Sequence, residues 1–87
     1  MDDNMDIEYP NSYSLRVIGH ARDDFEQIIH GILHKHGTQI IGAEGTKRHS
    51  RQGNYVSLNI RFMIESRAQL EAIYIDLRDS EHVLMVL

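Results

Sequence analysis

In Gly53-Asn54-Tyr55-Val56-Ser57-Leu58-Asn59-Ile60-Arg61-Phe62-Met63-Ile64, the apolar residues Val56, Leu58, Ile60, Phe62 and Ile64 alternate with more polar ones. That period of two is the mark of a strand with one face in a core. The stretch predicts a central β-strand, and the segments on either side read as elements that cover its Val56/Leu58/Ile60 face or pair with its backbone.

Upstream, Tyr13-Ser14-Leu15-Arg16-Val17-Ile18 alternates in the same way, with Tyr13, Leu15 and Val17 turned to the core, and Gly19 breaks it. Asp23 and Glu26 have the spacing of a capping box opening a helix that runs to about His36. Its apolar positions Phe25, Ile28, Ile29, Ile32 and Leu33 form one stripe, and Gly37 is placed as a left-handed cap. Thr38 to Lys47, with Ile40-Ile41 interrupted by Gly42 and Gly45, reads as a bulged or edge strand of ambiguous register. The basic run Lys47 to Gly53 reads as the loop of a long hairpin. Downstream, Ser66 and Gln69 form a second capping box, Leu70, Ile73, Tyr74 and Leu77 a second helical stripe, and Val83 to Leu87 a last strand.

The order β-α-β-β-α-β, with right-handed crossovers, implies an α+β two-layer sandwich of the ferredoxin-like type, antiparallel strand order 4-1-3-2, with both helices on one side of the sheet. Residues 9–87 form this single domain, and residues 1–8, rich in carboxylates, read as a flexible acidic arm. At 87 residues only one modest core fits, burying roughly 60% of the unfolded chain's surface. With no cysteine there is no disulfide framework, thiolate cluster or thiol nucleophile. Neither a secretory signal nor a membrane span can be drawn, so the expected location is the cytoplasm. A net charge of −4 argues against a general nucleic-acid binder.

Five features invite a functional reading. His30 and His34 have the i, i+4 spacing of a metal pair but lack a third ligand, so neither a metal site nor any cofactor is expected. Gly19, His20 and Ala21, between the first strand and first helix, are candidates to bind a small ligand through backbone N–H groups. Arg22 with Asn59 suggests an acylphosphatase-type hydrolase, a reading weakened by Asp23 and Asp24, and no catalytic residue is assigned. Tyr55 with Lys47, Arg48, His49 and Arg51 suggests an RNA-binding sheet, yet Tyr55 would be the one aromatic on the open face. The last strand is apolar on both alternations. With Val83, Met85 and Leu87 in the core, Leu84 and Val86 would face outward beside Met63, with Arg16 and Arg61 nearby, as a surface for a protein partner or a second copy of the chain.

The stretches Glu8-Tyr9-Pro10, Val17-Ile18-Gly19, Ser50-Arg51-Gln52-Gly53-Asn54-Tyr55 with Ser57, and Met85-Val86-Leu87 resemble the YbeD-like family of small bacterial proteins. The resemblance covers Glu8 to Leu87 and departs in the hairpin, where this chain is slightly longer. It implies an ACT-like domain, similar to regulatory domains that sense small molecules beside metabolic enzymes, and an association with lipoate metabolism. The expectation is a small cytosolic regulatory or binding domain, not an enzyme, that takes a protein partner or a small-molecule effector.

Overall fold

The structure, a computed structural model, describes residues 10–50 and 53–87. The acidic arm at 1–8 and the hairpin tip at 51–52 lie outside the described residues. The elements are β1 (Asn11–His20), α1 (Phe25–Lys35), β2 (Ile40–Ser50), β3 (Gly53–Ile64), α2 (Arg67–Asp79) and β4 (Val83–Val86). They form one antiparallel sheet of order β2-β3-β1-β4, the expected arrangement read from the other edge. Among the described residues no helix is long and apolar enough to cross a membrane.

Alternation on β3 places Val56, Leu58, Ile60, Phe62 and Ile64 against Phe25, Ile29 and Leu33 of α1 and Ile73 and Leu77 of α2, so both helices cover the same face. Leu15 and Val17 of β1 complete this core. Each such side chain contributes about 1.5–3 kcal/mol on burial. Tyr13 shares the covered face, with its ring 6.3 Å from that of Phe62, but lies at the margin and is 38% exposed.

Local chemistry sets the helix ends. Gly37 adopts φ 76°, the left-handed cap, and the buried Thr38 hydroxyl donates to the Leu33 carbonyl at 2.8 Å. At the start of α2, Ser66 Oγ accepts from the Gln69 N–H at 3.0 Å, and Gln69 Oε1 accepts from Glu65 N–H at 2.7 Å. The first capping box is different. Asp24, not Asp23, is the N-cap residue of α1, and its carboxylate makes no cap bond because Arg22 holds it at 2.8 and 3.2 Å. A charged guanidinium two residues upstream is a stronger donor than the helix N–H groups, and this hydrogen bond lowers the Asp24 pKa.

The second strand is longer than the sequence suggests. Lys47 to Ser50 pair with Val56 to Gly53 as part of β2 instead of forming a loop, and the expected bulge falls between Ile40 and Gly42.

The last strand differs in register. Val86 pairs with Val17 and Val83 with Gly19, both core positions, whereas Met85 pairs with Ile18 on the open face. The shift between Ile18 and Gly19 leaves Leu84 without a partner as the extra residue of a bulge. Leu87 then pairs with Arg16 by exchanging two backbone bonds of 2.8 and 3.0 Å. Val86 therefore packs against the core, and Met85 and Leu87, expected inside, are 52% and 59% exposed.

Candidate functional site

Among the described residues no element covers the sheet face opposite the helices, and register fixes its occupants. Arg16 of β1 lies opposite Asn59 of β3, which lies opposite Glu44 of β2; one row along, Ser14 lies opposite Arg61 and Gly42. Arg16 and Arg61 are thus diagonal neighbours on adjacent strands, about 7–8 Å apart at the backbone. Arg16 Nε donates to Asn59 Oδ1 at 3.2 Å, which fixes one edge of its guanidinium. These residues, with Leu87, line an open depression of about 730 Å³ that the chain at Leu15, Ala43 and Ile60 also borders. On its β4 side stand Ile18, Met85 and Leu87, an aliphatic border.

Charge is divided between the two sides of the sheet. Among the described residues the carboxylates, Glu44 apart, lie on the helices and their flanking turns. Several are paired there: Arg22 with Asp24, Arg67 with Glu71 and Lys35 with Asp76. Neither Arg16 nor Arg61 has an ion-pair partner among the described residues, so the open face carries unneutralised positive charge on a chain whose net charge is −4.

The interface residues expected from sequence are only partly brought together. Arg16 and Arg61 do meet on the open face. Met63 pairs with Ser12, six residues along β1 from the Ile18–Met85 pair, which is about 20 Å along the strand. Val86 is on the other side of the sheet, and Leu84, 48% exposed, sits at the bulge beside Tyr74 and Arg78 of α2. Sequence reasoning missed Met85, Leu87 and Glu44 as members of the face. A run of five apolar residues has no alternation from which to read them.

Gly19, His20 and Ala21 have a structural explanation. A Cβ on Gly19 would stand 2.3 Å from the His82 carbonyl oxygen and from Cε1 of Phe25, so a glycine here lets the Phe25 ring seat against β1. The N–H groups that an anion would need are engaged: His20 N–H donates to the His82 carbonyl and Ala21 N–H to the Asn54 carbonyl, each at 3.3 Å. Arg22 is held by Asp24 near this loop. Asn59 is five residues along β3 from Asn54, about 17 Å away, so the structure does not assemble the acylphosphatase pair. Tyr55 is on the open face opposite His20, while Tyr13 and Phe62 are on the helix side.

His30 and His34 both lie on α1. His30 Nε2 lies 3.6 Å from Glu26 Oε2, and no group of three or more potential ligands occurs among the described residues. The third histidine of this helix end does more. His36 Nε2 and Lys35 Nζ each lie 2.7 Å from Asp76 Oδ2, and Gln69 Nε2 donates to the His36 carbonyl at 3.0 Å. This clasp ties α1 to α2 and lowers the Asp76 pKa, chiefly through the Lys35 and then the His36 hydrogen bond.

Fold and surface together define an ACT-like, ferredoxin-like α+β domain with an exposed sheet. The ACT domain of GTP pyrophosphokinase from Chlorobium tepidum superposes with a TM-score of 0.71 at 18% identity, over 90% of this chain and 96% of that one. The solution structure of protein HP0495 from H. pylori gives 0.74 at 18% identity, over 100% and 94%. The chain belongs to the family described as protein of unknown function (DUF493), whose model matches residues 4–87. Relatives named UPF0250 protein include one from Vesicomyosocius okutanii, 37% identical over 81 residues covering 93% of this chain and 88% of the relative, and one from Ectopseudomonas mendocina, 34% identical over 82 residues covering 93% and 89%. This is the family to which the sequence resemblance pointed.

Proposed function

We propose that this chain is a cytoplasmic binding domain that works by docking a partner protein on its open sheet face, with no chemistry of its own. The observation that carries the reading is the placement of Arg16 and Arg61, both without ion-pair partners among the described residues, on the same face as exposed Met85 and Leu87, a face that no described element covers. Exposed aliphatics next to arginine are the composition of interface centres. The ACT domain of GTP pyrophosphokinase, a fold neighbour, is one part of a larger enzyme, which supports an accessory role for the fold. A regulatory role and a connection to lipoate metabolism are what the family resemblance adds, and docking at this face depends on neither.

A second reading, a small-molecule effector, is favoured by the depression itself, whose roughly 730 Å³ falls within the about 300–1,000 Å³ usual for ligand pockets. Affinity capture from bacterial lysate separates the proposal from a purely structural face. Wild type and a helix-side control, Arg67→Glu, should retain the same proteins, and Arg16→Glu/Arg61→Glu should lose them. Equal retention by all three would place the binding surface elsewhere.

A further inference from the structure

We infer that the partner presents an acidic segment interspersed with aliphatic side chains, and that its carboxylates dock on Arg16 and Arg61. The inference rests on the binding role proposed above and adds the chemistry of the occupant.

Charge complementarity is the first argument. The two guanidinium groups are diagonal neighbours on β1 and β3, and among the described residues the acidic side chain on the strands beside them is Glu44, in the row of Arg16, with which neither forms an ion pair. Guanidinium offers a planar fork that matches a carboxylate in two parallel hydrogen bonds, a geometry an ammonium group does not provide. Arg16 is already oriented by its Nε bond to Asn59, so less freedom is lost when its remaining donors are engaged.

The second argument is the border. Ile18, Met85 and Leu87 flank Arg16 on the β4 side, so a ligand that satisfies the arginines must also cover aliphatic surface. An acidic peptide carrying Leu, Ile, Val or Met does both. A nucleic acid does not: a base-reading sheet stacks bases on two or three aromatics, and among the described residues Tyr55 is the aromatic this face offers. The net charge of −4 has the same sign as such a partner, so the two arginines favour approach at this face over the acidic helix side.

A displayed library of random peptides, selected on the immobilised full chain and read by sequencing, tests the inference. The expected result is enrichment of Asp or Glu within two or three residues of aliphatic side chains. Synthetic peptides of the enriched sequences, titrated into isotope-labelled protein, should shift the amides of Ile18, Asn59 and Arg61. Binding should weaken by more than about tenfold in Arg16→Glu/Arg61→Glu, because like charges then face each other. It should also weaken in the milder Arg16→Gln/Arg61→Gln, whose amide spectrum away from the face checks folding, and it should tighten in Glu44→Lys. Enriched peptides without acids that still map to this face would overturn the acidic partner and leave the face as a binding site. Peptides mapping to the helix side would overturn both. A short oligouridylate that shifts the same amides at lower concentration than the best peptide would replace the acidic partner with RNA.

Discussion

On β3, the residues Val56, Leu58, Ile60, Phe62 and Ile64 are at most 7% exposed, while Tyr55, Asn59 and Arg61, each one position away, stand in solvent. The same backbone thus carries two sets of side chains under different constraints. The covered set is held by volume, because helices packed over it leave no room for a change of even one methylene without cost. The open set lies under neither helix, and among its contacts is the cross-strand bond between Arg16 and Asn59. Its charge and its aliphatic border can therefore answer to an outside partner.

The contrast is sharpest at adjacent residues. Leu58→Ala or Ile60→Ala should cost about 2–5 kcal/mol, since each empties a buried site between sheet and helices. Ser57→Ala should stay within about 0.5 kcal/mol. Denaturant midpoints measure both, and equal losses at Ser57 and Leu58 would break the assignment of faces. Gly19→Ala comes next, at about 1–3 kcal/mol for overpacking. Combining it with Phe25→Leu should return only part of the loss, because the His82 carbonyl oxygen, also 2.3 Å from the added Cβ, is unmoved.

At β4 the comparison runs through register. Val86→Lys should destabilise by about 1–3 kcal/mol because it carries an ammonium group to the core side. Met85→Lys should leave the denaturant midpoint close to wild type. The reverse ranking would restore the plain alternation of Val83, Met85 and Leu87 inward.

The smallest effect lies in the helix layer. The Asp76 pKa is lowered from its ordinary value of 3.8 by Lys35 and His36, so its carboxylate stabilises the fold at pH above 3.8, and that contribution is lost as pH falls through the lowered value. The midpoint difference between wild type and Asp76→Asn should shrink as the pH drops below 3.8. A difference independent of pH would mean that the clasp does not act through the ionised carboxylate.

Much of this was legible in sequence wherever a period existed to read. Alternation on β1 and β3 gave their core faces, the stripes from Phe25 and Leu70 gave the helices, and Gly37 and Ser66 marked helix ends, because each signal is local. The strand order followed from crossover handedness. The β4 register did not, since Val83-Leu84-Met85-Val86-Leu87 is apolar throughout and a bulge shifts its faces at no visible cost in pattern. Asp23 and Asp24 are equivalent as cap residues until the position of Arg22 distinguishes them. The pair Arg16 and Arg61 was legible from alternation. Its placement beside Met85 and Leu87, and not Val86, required the pairing of β4 with β1.

The position of β1 between β3 and β4 also bears on how the chain assembles. Only β2 and β3 are neighbours both in the sheet and in sequence, so their hairpin can close on the microsecond scale of local structure. The central strand has to wait. Pairing β1 with β3 encloses the first helix and the hairpin, and pairing β1 with β4 brings opposite ends of the domain together, so the loop entropy of both steps is lost before their contacts form. The lane that presents Arg16 between Asn59 and Leu87 is then complete only once β4 has docked, which makes the proposed docking face one of the last parts of the molecule to exist.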